Sequence, residues 1–319
     1  MKIILIGPGL SPIPPTGWGA VESLIWDYYE NLKKAGVDAH IINNPDLNQV
    51  IRECNSQYSD VVHIMYDDYA PISRYLACQN VIYTSHYAYI TSADFEKKYK
   101  YYYQNIFMPV IENQKCIKIQ ALSEQIGQIY RDNGFKNQIR ILSNGAREDK
   151  FRFTTNPQKP DKSVYVAKVE FRKGQYKYQN IENIDFVGNY FDSPFFTNDP
   201  NYLGEWTKST LYENLTDYGN LILLSSGEAD PLVVKEGLMA GLGVVVSECS
   251  SANLDLLKPF ITVVPNDRLD DLEYISEKIK ENRAISVGMR PEIRQYALDN
   301  FAWSAIIQKY LSLLNFVKN

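Results

Sequence analysis

Cysteine and histidine are scarce in this 319-residue chain, which contains four of the first and three of the second. The cysteines are far apart and form no C-x-x-C pair, and the histidines lack the spacing of metal ligands. These absences disfavour a disulfide framework and a zinc site, and they favour a reduced, cytoplasmic protein. The residues concerned are Cys54, Cys78, Cys116, Cys249, His40, His63 and His86.

Long apolar runs and an excess of positive charge are also missing. No apolar run reaches the ~18 residues that a membrane-spanning helix needs. A net charge of -5 does not suit a nucleic-acid-binding surface. We therefore expect no nucleic-acid partner and at most peripheral contact with a membrane. The segment 2–7 is too short and too soon interrupted for a signal peptide, and we interpret it as a first strand.

Short apolar strands alternate with longer mixed segments throughout the chain, which predicts parallel sheets covered by helices. The helix expected from Gly19 to Ala35 ends at Gly36. The polar, proline-bearing stretch 154–162 divides two such series, so we predict one Rossmann-like domain up to residue 155 and a second one from residue 156. Strands are expected near 2–7, 38–43, 60–65, 80–85, 116–121 and 139–143, then at 163–167, 184–187, 220–224, 244–247 and 261–264.

Two glutamates follow the apolar strand 220–224. Glu228 lies in the loop after that strand, and Glu236 lies in the helix that follows the loop. Asp230 and Pro231 predict the start of this helix, with the carboxylate as its cap and the proline in its first position. Both glutamates therefore lie at the carboxyl end of a strand, where open α/β sheets bind their ligands.

This segment resembles the E-x7-E motif of retaining glycosyltransferases of family 4, which have two Rossmann-like domains in the GT-B fold. The resemblance implies that Glu228 contacts the hydroxyls of a donor sugar and that Glu236 holds the nucleotide ribose. It also implies that the last helix, predicted from apolar residues at helical spacing, crosses back onto the first domain. The predicted domains are then 1–155 plus 302–319 on the acceptor side, and 156–301 on the donor side.

Two further segments resemble the phosphate-binding elements of family 4. Gly17 and Gly19 open the first long helix, where glycine permits close backbone approach and the helix start offers N–H groups to an anion. Lys168 and Lys173 match an arginine and a lysine that bind the donor diphosphate in the family. Fixed cations there stabilise the charge that develops on the leaving phosphate. Arg172 and Lys177 are expected to be solvated.

The first half offers weaker candidates at the ends of its strands. His86 follows the strand 80–85 and matches a histidine that lies near the donor sugar in the family, although a lone histidine is often structural. Asp67 and Asp68 follow another strand and are candidate contacts of the acceptor. Among the 24 tyrosines, the run Tyr101 to Tyr103 suits stacking on carbohydrate and suits a packed helix equally well.

Where the family has a glycine-rich turn, this chain has Asp230 and Pro231. Proline donates no N–H, and an aspartate would repel a phosphate, so the amide donors would be Leu232 and Val233.

The resemblance implies a retaining hexosyltransferase that uses a UDP- or GDP-linked sugar. It acts on an unidentified hydroxyl acceptor in polysaccharide or glycoconjugate biosynthesis, and it needs neither metal nor cofactor. A nucleotide-sugar 2-epimerase-like enzyme and an inactive nucleotide-sugar-binding protein are the alternatives.

Overall fold

A computed structural model describes residues 1–15, 19–113 and 117–315. The chain divides into two compact units, of which the first comprises Met1–Asn144 and the chain from Trp303 onward, and the second comprises Gly145–Ala302. Each unit contains its own parallel sheet flanked by helices, which confirms the predicted fold class. The boundary predicted at residue 155 lies inside the second unit.

The first unit is built from short, buried strands and the helices between them. Its strands are β1 (Lys2–Ile6), β2 (Asp38–Ile42), β3 (Val61–Ile64), β4 (Val81–Tyr83), β5 (Ile117–Ala121) and β6 (Ile139–Ile141). Its helices up to the boundary are α1 (Ala20–Lys34), α2 (Leu47–Asn55), α3 (Phe95–Lys98), α4 (Lys100–Tyr102), α5 (Met108–Glu112) and α6 (Glu124–Asp132). A 3-10 helix spans Asp67–Tyr75, and a π-helix spans Tyr103–Phe107.

The second unit repeats this pattern, and the last helix returns to the first unit. The strands are β7 (Lys159–Val166), β8 (Val169–Glu170), β9 (Ile184–Val187), β10 (Tyr190–Asp192), β11 (Tyr218–Leu223), β12 (Gly243–Ser247) and β13 (Ile261–Val264). The helices are α7 (Gln175–Tyr178), α8 (Lys208–Asn214), α9 (Leu232–Met239), α10 (Leu272–Gly288), α11 (Arg290–Phe301) and α12 (Trp303–Asn315). Four 3-10 helices span Phe171–Lys173, Leu215–Asp217, Glu248–Ser250 and Asn266–Arg268.

The five strands of the second main sheet follow the same order as the first five strands of the six-stranded first sheet. The first runs β2-β1-β3-β4-β5-β6 and the second runs β9-β7-β11-β12-β13, with every pairing parallel. In each sheet the order reverses beside the first strand, between β1 and β3 and between β7 and β11. Ligands of open α/β sheets bind beyond the carboxyl ends of strands at such a reversal.

The segment at the end of the chain for which we predicted one helix forms two helices. The helix α11 ends at Phe301, Ala302 has an extended backbone, and α12 then begins at Trp303. Trp303 and Tyr310 are buried, and both of their rings pack on Tyr28 of α1. The Tyr310 hydroxyl also lies 3.2 Å from Nδ1 of buried His63. The last helix therefore completes the core of the first unit.

The predicted linker is ordered structure within the second unit. The amide of Arg152 donates to the carbonyl of Tyr212, and the Phe151 ring packs on the Tyr212 ring. The carbonyl of Thr154 accepts a hydrogen bond of 2.7 Å from buried Arg290. From Lys159 onward the predicted linker forms the first half of β7. Proline and polar side chains were a poor guide here because distant residues satisfy both backbone groups of Thr154: Arg290 its carbonyl and Thr216 its amide.

Candidate functional site

Two loops at the strand reversal of the second unit carry the predicted charged residues. The loop after β7 contains Lys168 and Lys173, and the loop after β11 contains Glu228. β11 is buried throughout and β7 is buried over its second half, because helices cover the two faces of a parallel sheet. The charged side chains are therefore concentrated at the carboxyl edge of the sheet.

Hydrogen bonds join these two loops to each other. The hydroxyl of Tyr165, in β7, donates to the carbonyl of Lys173 and accepts from the amide of Leu224 at 2.8 Å. The amide of Ser226 donates to the carbonyl of Arg172 at 2.9 Å. Because Tyr165 is fully buried, this link is shielded from water and holds both loops in one arrangement.

Lys173 and Glu228 meet directly. The Lys173 ammonium contacts Oε1 of Glu228, and Nη1 of Arg172 lies 3.3 Å from the same oxygen. Arg172 also donates to the carbonyl of Gly227 at 2.7 Å, so it binds the loop backbone as well as the carboxylate. Gly174 follows with a φ of 69°, which is a left-handed conformation that favours glycine and that turns the chain into α7.

The charge of Glu228 depends on these two cations. Burial alone raises the pKa of its carboxyl, since the residue is only 8% exposed. Lys173 and then Arg172 oppose this effect, and the net result is a pKa below the ordinary value of 4.5. Glu228 is therefore ionised at neutral pH and accepts hydrogen bonds.

Lys168 contacts Glu170 and Phe191. Its ammonium lies 3.9 Å from Oε2 of Glu170 and 3.5 Å from the centre of the Phe191 ring. Glu170 in turn accepts a hydrogen bond of 2.7 Å from Arg172. Lys168 is thus connected to Glu228 through Glu170 and Arg172, whereas Lys173 contacts Glu228 itself.

Glu236 lies in α9 and has a cation of its own. Its Oε1 accepts a hydrogen bond of 2.9 Å from Lys208, at the start of α8. Leu232 and Val233 form the first turn of α9, where backbone N–H groups have no partner within the helix. The start of α9 therefore offers amide donors beside a buried carboxylate, an arrangement that suits a ligand with phosphate and hydroxyl groups.

Asp230 does not cap α9, and this corrects the prediction from the sequence. Pro231 occupies the cap position, and the Asp230 carboxylate instead contacts the ammonium of Lys235 and accepts from Asn253 at 2.9 Å. The side chains of Asp230 and Lys235 are both 0% exposed. A buried ammonium attracts a carboxylate more strongly than a backbone amide does, so the aspartate faces inward.

The remaining predicted residues belong to the first unit. Gly19 precedes α1 with an extended backbone, and a Cβ there would lie 2.7 Å from a carboxylate oxygen of Glu22. Gly17 lies outside the described residues. The amide of His86 donates to Oδ2 of Asp67 at 3.1 Å. Asp68, the neighbour of Asp67, is exposed.

Sequence reasoning missed three contributors to the site. Arg172 was expected to be solvated, but it binds Glu228 and the adjacent loop. Lys208 and Tyr165 were not considered, although they hold Glu236 and the two loops respectively. The position of Arg172 beside Lys173 was a usable signal, whereas Lys208 is distant from Glu236 in the chain and carried none.

Metal-ligand groups are absent from the part of the chain that the structure describes: no three His, Cys, Asp or Glu side chains are placed to share an ion. Independence from metal stays a prediction. Nor does any helix in the described ranges combine the length and apolar character needed to cross a membrane.

Comparison with known proteins identifies the fold. No protein-family profile and no curated protein sequence matches the chain. Solved structures do match over nearly full length. HepE of Anabaena, in complex with UDP-glucose, has a TM-score of 0.74 at 12% identity, covering 99% of this chain and 100% of its own. Sucrose-phosphate synthase of Thermosynechococcus elongatus has a TM-score of 0.74 at 14% identity, and the match covers 99% of this chain and 98% of the synthase.

A third similar structure is WaaG, a glycosyltransferase involved in lipopolysaccharide biosynthesis. Its TM-score is 0.69 at 12% identity, with coverage of 98% of this chain and 99% of its own. The chain therefore has the GT-B fold that these proteins share, as the sequence predicted.

Proposed function

We propose that this protein is a retaining glycosyltransferase of the family 4 type, which transfers a hexose from a UDP- or GDP-linked sugar to a hydroxyl acceptor. The observation that carries the proposal is the convergence of Lys173, Arg172 and Glu228 at the strand reversal of the second unit. The near-complete structural likeness to HepE with UDP-glucose supports a nucleotide-sugar donor.

The residues of the second unit have distinct roles in this proposal. Glu228 accepts hydrogen bonds from the hydroxyls of the donor sugar, and Glu236, held by Lys208, accepts them from the ribose. Lys173 and Lys168 neutralise the diphosphate, and the amides of Leu232 and Val233 donate to it. The roles of Gly17, Gly19 and His86, in the first unit, rest on the resemblance to family 4.

The chemistry follows from where negative charge develops. In a front-face substitution, the bond between the anomeric carbon and the phosphate oxygen breaks while the acceptor oxygen bonds to the same face of the sugar. The acceptor proton passes to an oxygen of the departing diphosphate. In this proposal Lys173 supplies the fixed positive charge that stabilises the leaving group, and such stabilisation is usually the largest contribution to catalysis.

Metal independence is part of the proposal, because lysines and a helix start can supply the charge that a divalent ion supplies elsewhere. Activity should survive a strong chelator. Complete loss that manganese or magnesium restores would refute this part and direct attention to Asp67 and Asp68.

The inactive-protein alternative rested on the departure at Asp230 and Pro231. The Asp230 carboxylate contacts buried Lys235, which argues against repulsion of a phosphate, whereas Pro231 still supplies no N–H at the start of α9. An epimerase would convert the nucleotide sugar without an acceptor, and incubation with the donor alone distinguishes the two reactions.

The decisive experiment compares the two glutamates after a screen of nucleotide sugars for thermal stabilisation of the protein. Glu236→Ala should weaken binding of the stabilising donor, and Glu228→Ala should lower kcat while the nucleotide still binds. Loss of a hydrogen bond to a charged group is worth roughly 1.5–3 kcal/mol, so each effect should be at least about tenfold.

Glu182 is the matched control, because it is an exposed glutamate of the same unit. Glu182→Ala should bind and turn over like the parent. If all three variants behave alike, the donor site is elsewhere.

A further inference from the structure

The first unit contains a cavity whose lining includes Asp67 and Asp68. Its volume is about 620 Å³, within the roughly 300–1,000 Å³ of small-molecule sites. Ile106 is the one aliphatic side chain among the described residues that line it. Its walls are mainly the tyrosine rings of Tyr66, Tyr87, Tyr99, Tyr101 and Tyr102. We refer to this site as the tyrosine pocket.

The walls of the tyrosine pocket are held in place before any ligand arrives. Tyr87 stacks on Tyr102 with 3.7 Å between ring centres, and Tyr99 stacks on Tyr89 at 4.5 Å. The Tyr102 hydroxyl donates to Oδ1 of Asp67 at 2.7 Å. The rings of Tyr87, Tyr99 and Tyr102 are therefore fixed, and a ligand loses little affinity to the ordering of these side chains.

The hydroxyls of Tyr66 and Tyr87 keep their protons at physiological pH. Burial and then Asp68 raise the pKa of Tyr66 to about 12. Burial and then Tyr99 raise the pKa of Tyr87 to about 12. The pocket thus presents neutral phenol groups, each of which can donate and accept a hydrogen bond.

The pocket is lined by two acidic and two basic side chains. Asp67 and Asp68 are offset by Lys98 and Lys100. A phosphate-bearing ligand would call for net positive charge, and an acyl chain would call for aliphatic walls. Aromatic rings combined with balanced charged groups suit a ligand that has apolar C–H faces and a rim of hydroxyls.

We propose that the tyrosine pocket binds a pyranose ring of a neutral oligosaccharide. The C–H face of the sugar packs on the tyrosine rings, and its hydroxyls bond with Asp68, Lys98 and Lys100. That this sugar is the acceptor rests on the proposed transferase function, whereas its binding to the pocket does not.

The test uses the full chain and saturation-transfer NMR with four trisaccharides: maltotriose, cellotriose, mannotriose and triacetylchitotriose. At least one should bind. Tyr101→Ala, which removes a ring that is 75% exposed, should raise its Kd about three- to tenfold. Asp68→Asn, which keeps the shape of the side chain, should weaken binding as well.

Tyr58 provides the matched control, since it is 76% exposed in the same unit but does not line the pocket. Tyr58→Ala should leave the Kd unchanged. The inference is overturned if none of the four sugars binds, or if Tyr101→Ala and Asp68→Asn bind them like the parent. It is also overturned if only vesicles of phosphatidylglycerol and phosphatidylethanolamine bind, in a manner that Tyr101→Ala abolishes.

Nucleotide sugars are tested separately by thermal stabilisation, so the two proposals fail in different ways. Stabilisation by a nucleotide sugar without trisaccharide binding removes the pocket assignment and leaves the transferase. Trisaccharide binding that depends on Tyr101, without stabilisation by any nucleotide sugar, removes the transferase and leaves the pocket.

Discussion

The sheets of the two units share the order of five strands but carry different chemistry at the equivalent edge. Beside β7 and β11, the second unit has lysine, arginine and glutamate in direct contact. Beside β3 and β4, the first unit has Asp67 surrounded by hydroxyls of Tyr83, Ser85 and Tyr102. In the first sheet this group lies beside β4, one strand beyond the reversal between β1 and β3, so the loop side chains decide where polar groups are concentrated and what they recognise.

The units also differ in how they are completed. The second unit is continuous in the chain, whereas the first requires α12 from the far end. The α12 side chains Trp303, Ile306, Ile307, Tyr310 and Leu314 are all buried. Each such side chain contributes about 1.5–3 kcal/mol when removed from water, and whole proteins are stable by only about 5–15 kcal/mol.

Truncation should therefore have the largest effect. Deleting the chain from Trp303 onward should unfold the first unit and abolish transfer, while a nucleotide sugar should still stabilise the second unit. Differential scanning calorimetry with and without the donor measures both. A truncated protein that melts like the parent and remains active would show that α12 is dispensable.

Tyr310→Phe is a milder variant, which removes only the hydroxyl near His63. It should lower the free energy of unfolding by about 1 kcal/mol.

A buried ion pair distinguishes the second unit further. Asp230→Ala would leave the fully buried Lys235 ammonium without its carboxylate, and we expect a loss of about 3–5 kcal/mol in the free energy of unfolding. Urea denaturation measures this loss. The double variant Asp230→Leu with Lys235→Met should recover much of it, because two apolar side chains need no charge partner. Equal stability of the parent and the single variant would contradict the buried pair.

Lys173→Met should have the next largest effect, on catalysis. It removes the cation that contacts Glu228 and that we assign to the leaving diphosphate. Loss of one such group typically costs about 10²–10³ in kcat. Release of nucleotide measures the rate. Lys177→Met is the control, because its ammonium pairs with exposed Asp270, and a comparable loss there would argue against a specific role of Lys173.

Arg172→Met should produce a smaller effect, visible in the pH dependence. Burial raises the pKa of Glu228, and Lys173 and Arg172 lower it below the ordinary value. Ionised Glu228 is present above this depressed pKa and is lost as the pH falls through it. Removing Arg172 raises the pKa of Glu228, so the acid limb of kcat/KM should move to higher pH. An unchanged acid limb would mean that another group controls it.

Much of the fold could be predicted because its signals are local. Apolar strands such as β11 and β12 are short, buried on both faces and bounded by polar turns. The helix α1 begins after Gly19, and Gly36 follows its end with a φ of 75°. The exact domain boundary was less accessible, since the backbone of 145–158 is satisfied by distant partners such as Arg290.

The site was only partly predictable. Lys173 and Glu228 were identified from their segments, and their contact joins positions that are 55 residues apart. The roles of Arg172 and Lys208 depend on side-chain directions that no spacing reveals. From the sequence, the tyrosine run 101–103 suited packing and carbohydrate binding equally well. Only the structure shows that Tyr101 and Tyr102 line a cavity.

The sequence by itself determined two parallel α/β domains and the loops in which charged residues follow strands, because hydrophobic periodicity and turn residues act over a few positions. Tertiary structure decided the pairing of charges: Asp230 with Lys235, Glu236 with Lys208, and Glu228 with both Lys173 and Arg172. Such pairing depends on which loops the sheet brings side by side and on how much water they exclude, and neither is encoded in any short segment.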